Sequence, residues 1–102
     1  MKAIELHADA VYEVEEAASY LERQQEGLGR AFRVEVESAL SRIAAGPRRF
    51  PRFRDTEIRK AFLKRFSYTV YFLELDACIW VAALAHQKRQ EGYWLSRTPE
   101  DR

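Results

Sequence analysis

The stretch "FSYTVYFLELDACIWVAALAH", residues 66–86, decides the fold of this chain. Residues 66–74 are rich in aromatic and β-branched side chains, which predicts a β-strand. Leu75 and Asp76 predict a turn, and residues 77–85 predict a second strand. This last strand is apolar on both faces, so we place it in the centre of a sheet.

The residues before this pair of strands predict one short strand and two helices. Residues 2–6, "KAIEL", alternate between polar and apolar side chains, as a strand does. Residues 8–25 have the spacing of an amphipathic helix, and a second helical stripe runs from Leu28 to Ile43. Gly27 suits a left-handed break between the helices, and Gly46 with Pro47 ends the second one. So short a connection predicts an antiparallel helical hairpin.

Residues 47–56, "PRRFPRFRDT", lack any periodicity and predict a loop, while residues 57–63, "EIRKAFL", predict a further strand. The element order is therefore β-α-α-β-β-β, an α+β fold in which a helical hairpin packs on a small antiparallel sheet. Phe62 and Phe66 are expected in the core, whereas Phe50 and Phe53 could be buried or exposed. Residues 1–102 fit a single domain, with residues 95–102 expected to fray.

The composition is that of a folded protein with an uneven charge distribution. The chain is 47% hydrophobic with a net charge of +1. Residues 1–26 hold seven acidic and two basic residues, a net charge of −5, and residues 47–66 hold eight basic and two acidic residues, a net charge of +6. This asymmetry predicts that one face of the protein binds an anionic partner.

The sequence favours a cytoplasmic location. Met1–Glu5 is not followed by the apolar region of a secretory signal, and the apolar run at 77–85 is shorter than the ~20 residues that span a bilayer. The single cysteine, Cys78, is expected to be buried and reduced. Two histidines and one cysteine without ligand spacing give no reason to expect a metal, and no motif indicates a cofactor.

The segment "HQKRQEGYW", residues 86–94, is the strongest candidate site. His86 has the imidazole group used in acid–base catalysis, but a histidine that only ends a strand is the favoured interpretation. Tyr93 and Trp94 are expected to pack on the hairpin or the sheet, with an anchor for a partner protein as the functional alternative. We predict a docking surface with Lys88 and Arg89 pointing outward and Trp94 as its anchor.

Several motifs together resemble the RelE/ParE superfamily of toxins from bacterial toxin–antitoxin pairs. They are "GLGRAF" (27–32), "RFPRF" (49–53), "IRKAFLKRFSYTVYF" (58–72) and "ALAHQKR" (83–89), followed by Trp94. The resemblance covers nearly the whole chain and is closest to the ParE-like branch. In many ParE-like sequences the final basic pair is followed by Asp-Pro, where this chain has Gln90 and Glu91.

The resemblance implies two possible targets. ParE-like toxins poison DNA gyrase by binding, and RelE-like toxins cleave mRNA in the ribosome. In both branches a cognate antitoxin forms a hetero-oligomer with the toxin and silences it. We favour the ParE-like function without catalysis, with a RelE-like endoribonuclease as the first alternative and a non-toxic regulator of its own operon as the second.

Each function assigns roles to particular residues. A metal-independent ribonuclease would use His86 as acid or base and Arg59, Lys64 and Arg65 as cations. A binding protein would contact its target or its antitoxin through a larger set: Arg49, Arg52, Arg59, Lys60, Lys64, Arg65, His86, Lys88, Arg89 and Trp94. The antitoxin is expected to supply an acidic amphipathic segment that lies on the basic region 47–66.

Overall fold

The computed structural model describes residues 1–100 and has the predicted order of elements. Strand β1 (Ala3–Leu6) leads into helices α1 (Ala8–Gln24) and α2 (Leu28–Ala45). A 3-10 turn (Pro47–Arg49) and a loop then precede strands β2 (Arg59–Phe62), β3 (Tyr68–Glu74) and β4 (Cys78–His86). The fold is α+β, with two helices packed on a four-stranded sheet.

The sheet has the strand order β1-β4-β3-β2, so β4 is internal as predicted. The prediction of an antiparallel sheet is wrong for one pair of strands, because β1 runs parallel to β4, with Leu6 opposite Val81. A parallel pair requires a long crossover, and the chain from α1 to β3 provides it. Periodicity reveals which residues form strands but carries no information on strand direction.

The helical hairpin depends on two glycines. Gly27 has a left-handed φ of 86°, as predicted, and it directly precedes α2. Glu22 accepts hydrogen bonds from the backbone N–H groups of Gly27 and Gly29, which caps α2 and lowers the pKa of Glu22. Gly29 also allows close helix packing, since a Cβ atom there would lie 2.6 Å from the carbonyl oxygen of Ala18.

The sheet is buried on both faces. The inner face packs against the helices through a cluster that includes Phe32, Ile43 and Phe72. The outer face forms a second cluster around Trp80, which is covered by residues of the 50–58 loop and of the segment after β4. This second layer explains why β4 is apolar on both faces and why Cys78 is buried.

The predictions for the phenylalanines hold in part. Phe66 is buried as expected, and Phe50 and Phe53 pack against the inner and outer clusters respectively. Phe62 is 53% exposed, so its predicted place in the core is wrong. It stands on the edge strand β2, beyond the part of the outer face that is covered.

Candidate functional site

The end of β4 fixes the position and orientation of His86. His86 pairs with Tyr68 across the strands, and its ring meets the Tyr68 ring edge-on at 5.0 Å between centroids. Its Nδ1 atom accepts a hydrogen bond from the backbone N–H of Lys88 at 3.0 Å. Since Nδ1 is the acceptor, the neutral ring carries its proton on Nε2.

The segment after His86 folds back over the outer face of the sheet. Trp94 is 1% exposed and packs between Phe53 and Tyr71, at centroid distances of 5.0 and 4.4 Å. The expectation that Trp94 packs on the sheet therefore holds, and its assignment as an anchor for a partner is wrong. A partner has no access to a side chain that is already enclosed by its own domain.

An ion pair between Glu13 of α1 and Arg97 fastens this segment to the helix. The two side chains are 11% and 13% exposed, and two guanidinium nitrogens of Arg97 donate to the carboxylate at 3.0 and 2.9 Å. The carboxylate also accepts from the Tyr93 hydroxyl and the Leu84 backbone N–H. Four hydrogen bonds therefore converge on the Glu13 carboxylate.

Arg97 and Tyr93 are held in one protonation state by this network. Burial opposes the charge of Arg97, but the hydrogen bond and the negative charge of Glu13 outweigh it and raise its pKa. Burial, followed by the hydrogen bond to Glu13, raises the pKa of Tyr93 far above its usual range.

Arg97 also donates to the Ala82 carbonyl, which lies at a β-bulge where β4 has one residue more than β3.

The predicted fraying of residues 95–102 is wrong at Arg97, which the network holds in place. Residues 101 and 102 lie outside the described part of the chain. The neighbouring Leu95 is 47% exposed, so the segment is held by the side chains of Tyr93, Trp94 and Arg97.

Lys88 and Arg89 are exposed, as predicted for a docking surface. The Arg89 guanidinium lies 3.7 Å from the centroid of the Tyr93 ring and 3.9 Å from Glu13. Arg89 is thus exposed but supported by the segment beneath it, whereas no ion pair of Lys88 is seen among residues 1–100.

The other predicted basic residues fall into four separate places. A cleft of about 350 Å³ holds Arg48, Arg52 and Arg59 beside the carboxylates of Glu57 and Glu74. Arg49 is exposed at the end of α2, where it donates to the Arg42 carbonyl.

Lys60 lies instead in a pocket of about 180 Å³ that also contains His86 and Arg89. Lys64 and Arg65 are exposed in the β2–β3 turn, at the same end of the sheet as Gln87, whose N–H donates to the Ser67 carbonyl. Arg59 and His86 therefore line different cavities, and the residues proposed for a ribonuclease are only partly brought together.

A cavity of about 500 Å³ lies between α1 and the end of β4. We call it the tyrosine cleft, and define it by Tyr12, Glu16 and Tyr20 of α1 facing Tyr68 and His86 of the sheet. Asp9 and Glu13 continue its acidic wall, and Arg89 and Arg97 also line it. Sequence reasoning missed this cleft, although the spacing of Tyr12, Glu16 and Tyr20 by four residues was a visible signal.

Among residues 1–100, no three histidine, cysteine or carboxylate side chains are placed to hold a metal ion. Within the same residues, neither helix has the length and the apolar character required to cross a membrane. No protein-family model matches the chain, and no curated protein matches it either.

Proposed function

We propose that this chain is the ParE-like toxin of a type II toxin–antitoxin pair, which inhibits DNA gyrase in the cytoplasm by binding it. The β-α-α-β-β-β order and the helical hairpin agree with the fold that the resemblance implies. A cognate antitoxin neutralises the toxin in a hetero-oligomer. The same resemblance admits cleavage of mRNA, so the site has to distinguish the two functions.

One observation carries the choice of binding over catalysis: the tyrosine cleft beside His86 is unsuited to a phosphate. Metal-independent RNA cleavage needs an acid or base beside several cations that stabilise the charged transition state. The tyrosine cleft contains three carboxylates, Asp9, Glu13 and Glu16, against two arginines. Arg59, one of the three proposed catalytic cations, lies in another cleft.

The exposed pair Lys88 and Arg89 is the part of the site that a target can reach. Exposed charges contribute little to stability, so replacing Lys88 and Arg89 tests their contact with the target without disturbing the fold. The double variant Lys88→Ala, Arg89→Ala should reduce toxicity and leave the melting temperature nearly unchanged. Unfolding of the double variant would show that the pair is structural and would refute its role as a contact surface.

The antitoxin is proposed to lie across the basic residues near the end of α2. Arg49 is exposed and Arg52 is 52% exposed, with only a 3.7 Å ion pair to Glu57, so both can meet an acidic segment. Arg49→Glu and Arg52→Glu should each weaken antitoxin binding, and added salt should weaken it further. Salt-independent binding that survives both reversals would contradict this arrangement.

A specific observation favours ribosome-dependent mRNA cleavage as the second candidate. The pocket of about 180 Å³ places His86 with two cations, Lys60 and Arg89. General acid–base groups contribute about 10²–10⁴-fold to a rate, so His86→Gln would nearly abolish such cleavage. Codon-positioned cuts by the parent protein that vanish with His86→Gln would favour this function over gyrase binding.

Expression of the protein in a susceptible bacterium tests the proposal. We expect filamentous growth with a DNA-damage response, which follows when gyrase is trapped on DNA. Rapid arrest of translation would indicate mRNA cleavage instead. Normal growth, with the expression level verified, would favour a family member that only regulates its operon with the antitoxin.

A further inference from the structure

One face of α1 presents two tyrosines and a carboxylate that the fold itself does not use. Tyr12, Glu16 and Tyr20 follow one another at intervals of four residues, which aligns them along the helix. Tyr12 is 63% exposed and Tyr20 is 52% exposed. Large aromatic side chains that stand open in a cavity are a frequent mark of a binding surface.

The sheet supplies the opposite wall of the tyrosine cleft. Tyr68 is half-buried and is held from behind by the edge of Phe32 at 5.1 Å between centroids. His86 packs edge-on against the same ring. The sheet-side aromatic wall is thus packed against the domain, whereas Tyr12 and Tyr20 on the helix side are exposed.

The charge of the tyrosine cleft is negative after its internal pairs are counted. Glu13 is bound by Arg97, and Asp9 lies 3.8 Å from the same guanidinium. Glu16 is exposed, and no ion pair or hydrogen bond involves its side chain among the described residues. Three carboxylates against two arginines leave one negative charge, and Glu16 is the group that lacks a cation.

We propose that the tyrosine cleft binds an arginine side chain presented by a basic peptide segment of a partner protein. The faces of the phenol rings attract a planar cation, and a guanidinium can donate two parallel hydrogen bonds to one carboxylate. A volume of about 500 Å³ also leaves space for the residues that flank the arginine. The negative charge disfavours a nucleic acid.

Elsewhere in the chain, arginine side chains already contact a tyrosine ring or a carboxylate. Arg89 lies over the ring of Tyr93 beside the carboxylate of Glu13. Arg33 of α2 donates two hydrogen bonds, of 2.8 and 2.7 Å, to Glu15 of α1. Glu16 with Tyr12 and Tyr20 offers the same groups, but no arginine among the described residues forms an ion pair or a hydrogen bond with Glu16. The inference rests on these groups and is independent of the toxin assignment.

The test uses a short peptide with one central arginine flanked by glycine and alanine, capped at both ends. Its affinity for the full chain is measured by ¹H–¹⁵N NMR titration, together with matched peptides that carry lysine or the uncharged isostere citrulline. We expect the arginine peptide to bind most tightly and to shift the resonances of Tyr12, Glu16, Tyr20 and Tyr68. The affinity should fall with added salt.

Two variants probe the recognition directly, with a third as the control. Glu16→Gln and Tyr20→Leu should each weaken binding of the arginine peptide by about two- to fivefold, the range for half-exposed ion pairs and cation–π contacts. Glu26→Gln removes an equal charge from the loop between the helices and should leave the affinity unchanged. Thermal melts of all three should match the parent, because the replaced side chains are exposed.

Several outcomes would overturn the proposal. Equal binding of the citrulline peptide would exclude recognition of the charge, and unchanged affinity in both variants would place the peptide elsewhere. Equal binding of the lysine peptide or of spermidine would show a general cation site and refute selection of arginine. Resonance shifts confined to residues outside the tyrosine cleft would refute it as well.

Discussion

Replacing Trp94 with alanine tests whether the segment after β4 is an integral part of the domain. Trp94 is 1% exposed and fills the outer core between Phe53 and Tyr71. Truncating a buried tryptophan costs about 3–5 kcal/mol of unfolding free energy. A domain of this length is stable by about 5–15 kcal/mol, so Trp94→Ala should remove a large share of the total.

The assay is equilibrium unfolding in urea, followed by far-ultraviolet circular dichroism because the variant lacks one tryptophan. Leu95→Ala is the matched control, since Leu95 is adjacent but 47% exposed, and it should change the unfolding free energy by less than about 0.5 kcal/mol. A loss below about 1 kcal/mol for Trp94→Ala would refute the reasoning. Trp94 would then be free to serve as the anchor for a partner.

Three further predictions concern the stability of the fold. Glu13→Ala should lower the unfolding free energy by about 3 kcal/mol because it removes the bidentate partner of a largely buried guanidinium and leaves it only the more distant Asp9, whereas Glu15→Ala, at an exposed ion pair, should cost much less in the same urea titration. Gly29→Ala should cost about 1–3 kcal/mol, since its Cβ would lie 2.6 Å from a backbone oxygen of α1, and an unchanged melting temperature in calorimetry would contradict that packing. Hydrogen bonds lower the pKa of Glu22 and Glu74 below the ordinary 4.5, so both carboxylates stabilise the fold above that pH. This stabilisation is lost as the pH falls through the lower folded-state values, and melting temperatures that stay constant from pH 5 to pH 2 would contradict it.

The order of the elements was predictable because it depends on local patterns. The spacing from Leu28 to Ile43 defines α2, and the two-sided apolar character of residues 77–85 places β4 inside the sheet. Each pattern lies within one helix or one strand and reflects which of its side chains are buried, so it can be read from consecutive residues of the sequence. The parallel pairing of β1 with β4 depends on the path of the chain in three dimensions, which no local pattern encodes.

The candidate site was predictable only in part, because its key contacts join distant residues. Glu13 and Arg97 are separated by 84 positions, and each alone looks like an ordinary surface charge. Trp94 was identified as important, but the sequence did not show that Phe53 and Tyr71 enclose it. The division of the basic residues between separate clefts also depends on tertiary packing, since the consecutive residues Arg59 and Lys60 line different cavities.

The most direct test of the proposed function is the formation of gyrase–DNA cleavage complexes by the purified protein. Gyrase, supercoiled plasmid and ATP are incubated with the parent protein or with His86→Gln, and linear DNA is measured after detergent and protease treatment. We expect the parent protein and His86→Gln to trap gyrase on DNA to within a few-fold of each other, because binding tolerates the loss of one proton donor. Absence of cleavage complexes with the parent protein, or their complete loss with His86→Gln, would contradict it.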